Sequence, residues 1–176
     1  MDIDQFCVLA KGQKGLACVA LIQQILSSKQ NLFLGKLLRI PSILQLQQSP
    51  EYAKAYATLE LFAYGSWKDY YNAPNCYLNL TNNQIRKLKI LSLLRLAAES
   101  KGKALSYEFL LSELFDSSQK RDNMNELEDV IIEAINFNYL QAKIDQKKRL
   151  LHIINFVGRD VPPHRVEDLL QSLLSW

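Results

Sequence analysis

Along the first hundred residues the apolar positions recur mostly at three- and four-residue intervals, interrupted after one to four turns by short polar or Gly/Pro-containing stretches. This spacing predicts stacked helices. Ser49-Pro50-Glu51 offers a side-chain acceptor, a proline suited to the first helical position and an early acid, so a helix is expected to begin near residue 50. Thr81 and Gln84 have the spacing of a capping box, which places another start near residue 82. Between these points Gly65, Asn72-Ala73-Pro74-Asn75 and Asn82-Asn83 supply turn chemistry, and Trp67-Lys68-Asp69-Tyr70-Tyr71 is expected to form a short helix.

From about Asn83 to Ser100, Ile85, Leu88, Leu91, Leu94 and Ala98 fall on one stripe that Ile90, Leu93 and Ala97 widen. A stripe so broad predicts packing on two sides, with Arg86, Lys87, Lys89 and Arg95 on the exposed remainder. After Lys101-Gly102-Lys103 the pattern changes to a short Ala104-Leu105 segment, a helix capped by Ser106 and reaching Phe115, a polar loop from Asp116 to Asn123, and a helix from about Asn125 to Asn136. Then Leu140, Ala142 and Ile144 alternate with Gln141, Lys143 and Asp145 before the polar turn Gln146-Lys147-Lys148-Arg149 and the branched, aromatic run from Leu150 to Val157. This is the pattern of an antiparallel β-hairpin. Helix, helix and hairpin in that order make a winged helix, in which the Leu105 segment can add a third strand.

Regular alternation would set Leu151, Ile153, Asn155 and Val157 on one face, and Leu150, His152, Ile154 and Phe156 on the other. Both faces are then largely apolar, so local helices or a partner must cover the second, and a strand edge is available for pairing. Beyond Gly158-Arg159-Asp160 and Pro162-Pro163, a last helix carries Val166, Leu169, Leu170, Leu173 and Leu174 at amphipathic spacing. It stops at Trp176, so the chain is expected to be part of a longer one. The expected organisation is a helical unit over 1–100, a winged helix over 101–160, and the start of a C-terminal helix over 161–176.

Composition narrows the function. With 176 residues, 48% of them apolar, the chain can bury a substantial core. A net charge of +3 does not by itself indicate a nucleic-acid or membrane-surface protein. Cys7, Cys18 and Cys76 are odd in number and lack metal or redox spacing, which fits free thiols in a reducing compartment. The acidic start and the shortness of the longest apolar run, Leu16 to Ile22, indicate a soluble intracellular protein without a membrane span.

Candidate chemistry is sparse. His152 and His164 have no Cys, Asp or Glu at ligand spacing, and no nucleophile elbow, P-loop or dinucleotide glycine pattern occurs, so no catalytic residue, metal or cofactor is assigned. Glu126, Glu128, Asp129 and Glu133 read as structural, since acids early in a helix complement its dipole. Between Asp122 and Ala142 there are five carboxylates and no Lys or Arg, which disfavours setting this second helix against DNA. The basic wing tip Lys147-Lys148-Arg149 remains open to RNA or an acidic protein, and a charged solvated face is the plainer reading.

Phe62-Ala63-Tyr64-Gly65 with Asp69-Tyr70, the run Leu127-Glu128-Asp129-Val130-Ile131-Ile132-Glu133-Ala134, Ile144-Asp145-Gln146 and Val157-Gly158-Arg159-Asp160 together resemble the PCI-domain subunits of the proteasome lid, the COP9 signalosome and translation initiation factor three. Gln5-Phe6 with Leu9-Ala10-Lys11 and the closing Leu174-Ser175-Trp176 extend the resemblance across the chain. It implies a mostly α fold, a right-handed stack of helical hairpins followed by a winged helix with a small antiparallel sheet. It also implies a non-catalytic scaffold of the signalosome, which removes the modifier Nedd8 from cullin ubiquitin ligases through an isopeptidase in a different subunit, in the cytoplasm and nucleus. The expected partners are other PCI subunits through the winged helix and remaining subunits through a C-terminal helix bundle, with no membrane and nucleic acid disfavoured. Subunits of the lid or of initiation factor three, an RNA- or DNA-binding winged helix, and an unrecognised hydrolase are the alternatives. Lys143, Ile144, Lys147, Lys148, Leu151, Ile153 and Asn155 are the interface candidates, while Phe62, Tyr64, Leu127, Ile131 and Ile132 are expected in a core shared by the two halves.

Overall fold

The computed structural model describes residues 3–28, 31–100, 102–116 and 122–174. Helices α1 (Ile3–Gly12), α2 (Leu16–Ser27), α3 (Gly35–Leu38), α4 (Pro41–Gln48), α5 (Ala53–Tyr64) and α6 (Trp67–Asn72) lead to α7 (Asn82–Glu99). Strand β1 (Leu105–Ser106), helices α8 (Tyr107–Leu114) and α9 (Asp122–Asn136), strands β2 (Leu140–Asp145) and β3 (Leu150–Phe156), and helix α10 (Val166–Leu174) complete the chain. The fold is mostly helical with one small antiparallel sheet, ordered β1-β3-β2. The polar loop expected after Phe115 lies largely outside the described residues.

Local chemistry explains the helix starts. Thr81 and Gln84 form the expected reciprocal capping box on α7, and Ser66 with Asp69 forms a second one on α6. Ser106 Oγ accepts the Phe109 amide at the start of α8. Near residue 50 the expectation is corrected. Pro50–Tyr52 form a turn in which the Ser49 carbonyl, not its hydroxyl, accepts the Tyr52 and Ala53 amides, and the helix proper begins at Ala53.

A single buried cluster runs from Phe6 and Ala10 in α1, through Phe62 in α5 and Leu88, Leu91 and Leu94 in α7, to Leu110, Leu127, Val130, Ile131, Leu140 and Leu151. Helix α7 is its axis and is buried on nearly every side. The expected exposure of Lys87 and Lys89 is therefore wrong; they are 6% and 5% exposed. Each is tolerated because it has a strong partner. Lys87 Nζ donates to the Ile25 and Ser28 carbonyls at 3.2 and 2.7 Å, at the end of α2 where the helix dipole is negative. Lys89 Nζ meets Glu126 of α9 at 2.7 Å and lies 3.8 Å from the Phe115 ring centroid. Gln84 Nε2 also reaches the end of α2, donating to Ser27 Oγ and the Gln23 carbonyl, and Ser92 Oγ accepts the Trp67 amide.

The segment after β3 fastens the winged helix onto these helices. Arg159 donates through one guanidinium nitrogen to the carbonyls of Gly65 and Leu91, and through the other to those of Phe62 and Ala63. Three of these acceptors lie at the last turn and cap of α5, at its negative end. Burial pulls the Arg159 guanidinium down to about 10, so it remains charged at neutral pH. Asp160 Oδ2 accepts the Leu34 and Gly35 amides at 2.6 and 2.8 Å, where α3 begins. A Cβ on Gly35 would lie 2.8 Å from Asp160 Oδ1, so this close approach requires glycine.

Two outcomes follow for stability. Arg159→Ala leaves four carbonyls without their donor and Asp160→Ala leaves the Leu34 and Gly35 amides without their acceptor, so each variant is expected to lose ~1–3 kcal/mol or more in urea unfolding. A loss below that range in both would show that the clasp does not hold the two parts together. Lys87 concerns pH. Burial lowers it from 10.5 to about 7, so the folded state binds fewer protons than the unfolded one between those values. The burial penalty is complete below pH 7 and is relieved as pH rises. The stability of the parent relative to Lys87→Met should therefore climb above neutrality, at up to ~1.4 kcal/mol per pH unit. Parallel pH profiles in the two proteins would refute the assignment.

Candidate interaction surface

The hairpin pairs Ile144 with Leu151, Ala142 with Ile153 and Lys143 with His152 in regular antiparallel register. A bulge then intervenes, because Gln141 faces Asn155 and Leu140 faces Phe156, leaving Ile154 as the extra residue of β3. Asn155 Oδ1 accepts the Phe156 amide at 2.9 Å, a local bond that competes with ladder pairing at this point. The regular alternation expected from Leu151 to Val157 is thus broken. Asn155 goes with the exposed Gln141 instead of with Leu151 and Ile153, and Phe156 is carried round to pair with the buried Leu140.

The seven candidates consequently separate. Leu151 is fully buried between β1 and β2, where it pairs with both Leu105 and Ile144, so its candidacy as a surface contact is withdrawn. Ile144 and Ile153 are half-buried against the same core. Lys143, Lys147, Lys148 and Asn155 are exposed. Among the expected core residues, Phe62, Leu127 and Ile131 are buried and Tyr64 is half-buried, but Ile132 is 46% exposed on the outer side of α9. Its helical phase sets it with Asn125, Asp129 and Asn136, away from the stripe of Leu127, Val130, Ile131 and Ala134.

The acidic helix α9 has partners on several elements. Glu126 meets Lys89, while Asp129 and Glu133 meet Arg86. Glu128 accepts the Tyr107 hydroxyl and the Gln146 amide, and burial together with the Glu128 charge pushes the Tyr107 phenol up to about 12. The carboxylates therefore join α9 to α7, α8 and the wing. Among the described residues no group of three His, Cys, Asp or Glu converges as a metal site, and no helix is long and apolar enough to cross a membrane. His152 is exposed, and the His164 side chain lies outside the described residues.

Three surfaces remain. Strand β2 is an edge of the sheet, and its outer side has no paired strand among the described residues. Beside it, Phe137 stacks on Tyr139 with ring centroids 5.6 Å apart, and Ile154 and Phe156 are 55% and 36% exposed. These apolar contacts were missed in the candidate set, although an Asn inside a strand-like run is itself a signal of irregular pairing. On α10, Val166, Leu170, Leu173 and Leu174 are exposed. This apolar stripe is the third surface.

A helical array joined to a winged helix is the arrangement with which the comparisons agree. The PCI domain model matches residues 65–154, about half of the chain, and the chain belongs to the PCI-domain family. The model of the CSN7 helical bundle subdomain matches residues 4–30. Among individual proteins, the COP9 signalosome complex subunit 7 of Drosophila melanogaster is 38% identical over 99% of this chain and 60% of its own length. Its namesake in Dictyostelium discoideum is 36% identical over 99% of this chain and 64% of its own length. The eukaryotic translation initiation factor 3 subunit M of Nematostella vectensis is 26% identical over 82% of this chain and 37% of its own length. The chain spans about 60% of the length of the first of these relatives.

The two faces of β3 generate opposite expectations. Leu151→Asp places a charge in a sealed core and should unfold the chain or cost several kcal/mol, on the order of 3–5. Ile154→Asp should change stability by no more than ~0.5 kcal/mol. Circular dichroism with urea titration checks both, and the reverse ranking would overturn the assignment of faces.

Proposed function

We propose that this chain is the PCI portion of a scaffold subunit of a COP9 signalosome, holding neighbouring subunits in place and thereby supporting the deneddylation of cullin ubiquitin ligases by another subunit. The observation that carries this reading is the likeness to signalosome subunit 7 across almost the whole chain in two distant organisms. The structure supports it by leaving a sheet edge, a basic wing and an apolar helix stripe exposed. In this reading residues 1–100 are the helical unit, 101–160 the winged helix and 161–176 the beginning of a bundling helix. Other PCI subunits dock on the wing around Lys143, Lys147 and Lys148, with Ile144, Ile153 and Asn155 at the margins, and the remaining subunits engage α10. The chain itself catalyses nothing and works in the cytoplasm and nucleus. A place in initiation factor three is the second reading, supported by the lower identity to subunit M.

Affinity purification of the tagged full-length protein, with mass spectrometry of its companions, tests the proposal. Cullins, other signalosome subunits and a metalloisopeptidase are expected. Ribosomal subunits and initiation-factor companions in their place would move the protein to the second reading.

A further inference from the structure

Away from the three surfaces described above, helix α5 and the chain that follows it enclose a cleft of about 330 Å³. Glu60, Leu61 and Tyr64 line it from α5, where spacings of three and four residues put them on one face. Asp69 of α6, Cys76 of the 3-10 helix Pro74–Cys76, and Tyr77 line the opposite side. The fold fixes both walls. The Leu78 amide donates to Thr58 Oγ1 at 2.9 Å, which ties the returning chain to α5, and Tyr77 packs on Tyr70 with ring centroids 5.9 Å apart. Leu61 is buried, Tyr64 and Tyr77 are half-buried, and Glu60, Asp69 and Cys76 are exposed at the rim.

The charges that line this cleft are of one sign. Among the described residues no Lys or Arg lines it, and Glu60 has neither a hydrogen bond nor an ion pair. Asp69 takes the Ser66 amide and hydroxyl on Oδ2 alone, which leaves Oδ1 to accept another donor. The cation behind the cleft, Arg159, has its guanidinium committed to four backbone carbonyls, one of them that of Gly65. Burial pushes both phenols up, the Asp160 and Glu60 charges adding to it at Tyr64 and the Asp69 and Glu60 charges at Tyr77. Both rings therefore stay neutral, and the negative field of Glu60 reaches both walls.

This chemistry restricts the occupant. An anion is repelled. A hard metal ion needs more oxygen ligands, and among the described residues no group of three His, Cys, Asp or Glu converges. An ammonium holds its water tightly and acts as a point charge, whereas a guanidinium is flat, more weakly hydrated, stacks on an aromatic face and offers separate N–H groups to two carboxylates. The cleft is open to solvent at its rim, so a polypeptide backbone can stay outside while one long side chain enters.

We infer that this cleft takes an arginine side chain of a partner polypeptide, its guanidinium lying against the Tyr64 and Tyr77 rings and donating to Glu60 and Asp69. The inference goes beyond the scaffold reading and does not rest on it, since the cleft uses neither the wing nor α10.

Cys76 at the rim gives the test its readout. The whole chain is treated with a cationic trimethylammonium and an anionic sulfonate methanethiosulfonate, and the rate at Cys76 is followed by mass spectrometry of its peptide. The ratio of the two rates cancels the thiolate fraction. It should stand about tenfold or more above the ratio for a synthetic peptide of residues 73–80, and fall severalfold in Glu60→Gln. Protection is the second measurement. A blocked Gly-Arg-Gly peptide should slow alkylation of Cys76 by iodoacetamide saturably, its neutral citrulline analogue should not, and its lysine analogue should require about fivefold more peptide or worse. Glu60→Gln should weaken the protection by a similar factor, and circular dichroism checks that this exposed substitution keeps the fold. A rate ratio equal to that of the synthetic peptide, no protection, equal protection by the citrulline or lysine peptide, or protection unchanged in Glu60→Gln would each overturn the inference.

Discussion

A guanidinium enclosed by four backbone carbonyls holds the end of the wing against the preceding helices. Arg159 meets the negative end of α5, and the adjacent Asp160 meets amides where α3 begins. Two neighbouring residues of opposite sign thus satisfy backbone groups of opposite polarity on different elements. The arrangement sets the direction in which β3 leaves the sheet. The position of the hairpin relative to α7, and hence which of its edges faces outward, depends on this clasp.

Helix α7 supplies the complementary constraint. Its apolar residues alone would let neighbouring helices slide, because oily contacts have little direction. Lys87, Gln84, Lys89 and Ser92 add directional bonds to α2, α9 and α6 at four heights along its axis. Burying two ammonium groups is costly, and their partners at the end of α2 and on α9 offset that cost only in one relative placement. The acidity of α9 belongs to the same economy of charge: its carboxylates answer cations on α7 and polar groups on α8 and the wing.

With these groups committed to internal contacts, much of the outward chemistry is left to the wing and the last helix. An edge strand, a cationic turn and a stripe of exposed leucines are features for holding other chains. The scaffold function proposed above uses these surfaces together, with the likeness to signalosome subunit 7 as its main support.

Local patterns were sufficient for much of this architecture. Apolar periodicity located the long central helix and the hairpin, Thr81 and Ser106 marked helix starts, and the alternation from Leu140 to Asp145 marked a strand of the winged helix. These features depend on residues a few positions apart, whose geometry follows from the period of helix or strand. Four matters could not be settled that way: the burial of Lys87 and Lys89, the outward turn of Ile132, the sealing of Leu151 and the change of face at Ile154. Each depends on groups distant in the chain, such as the carbonyls ending α2, a carboxylate on α9 or the strands flanking β3. Sequence by itself determined which elements form and in what order. Only tertiary packing decided which of their polar groups find partners inside and which apolar groups are left for other molecules, because desolvation and pairing are properties of the assembled surroundings of a side chain.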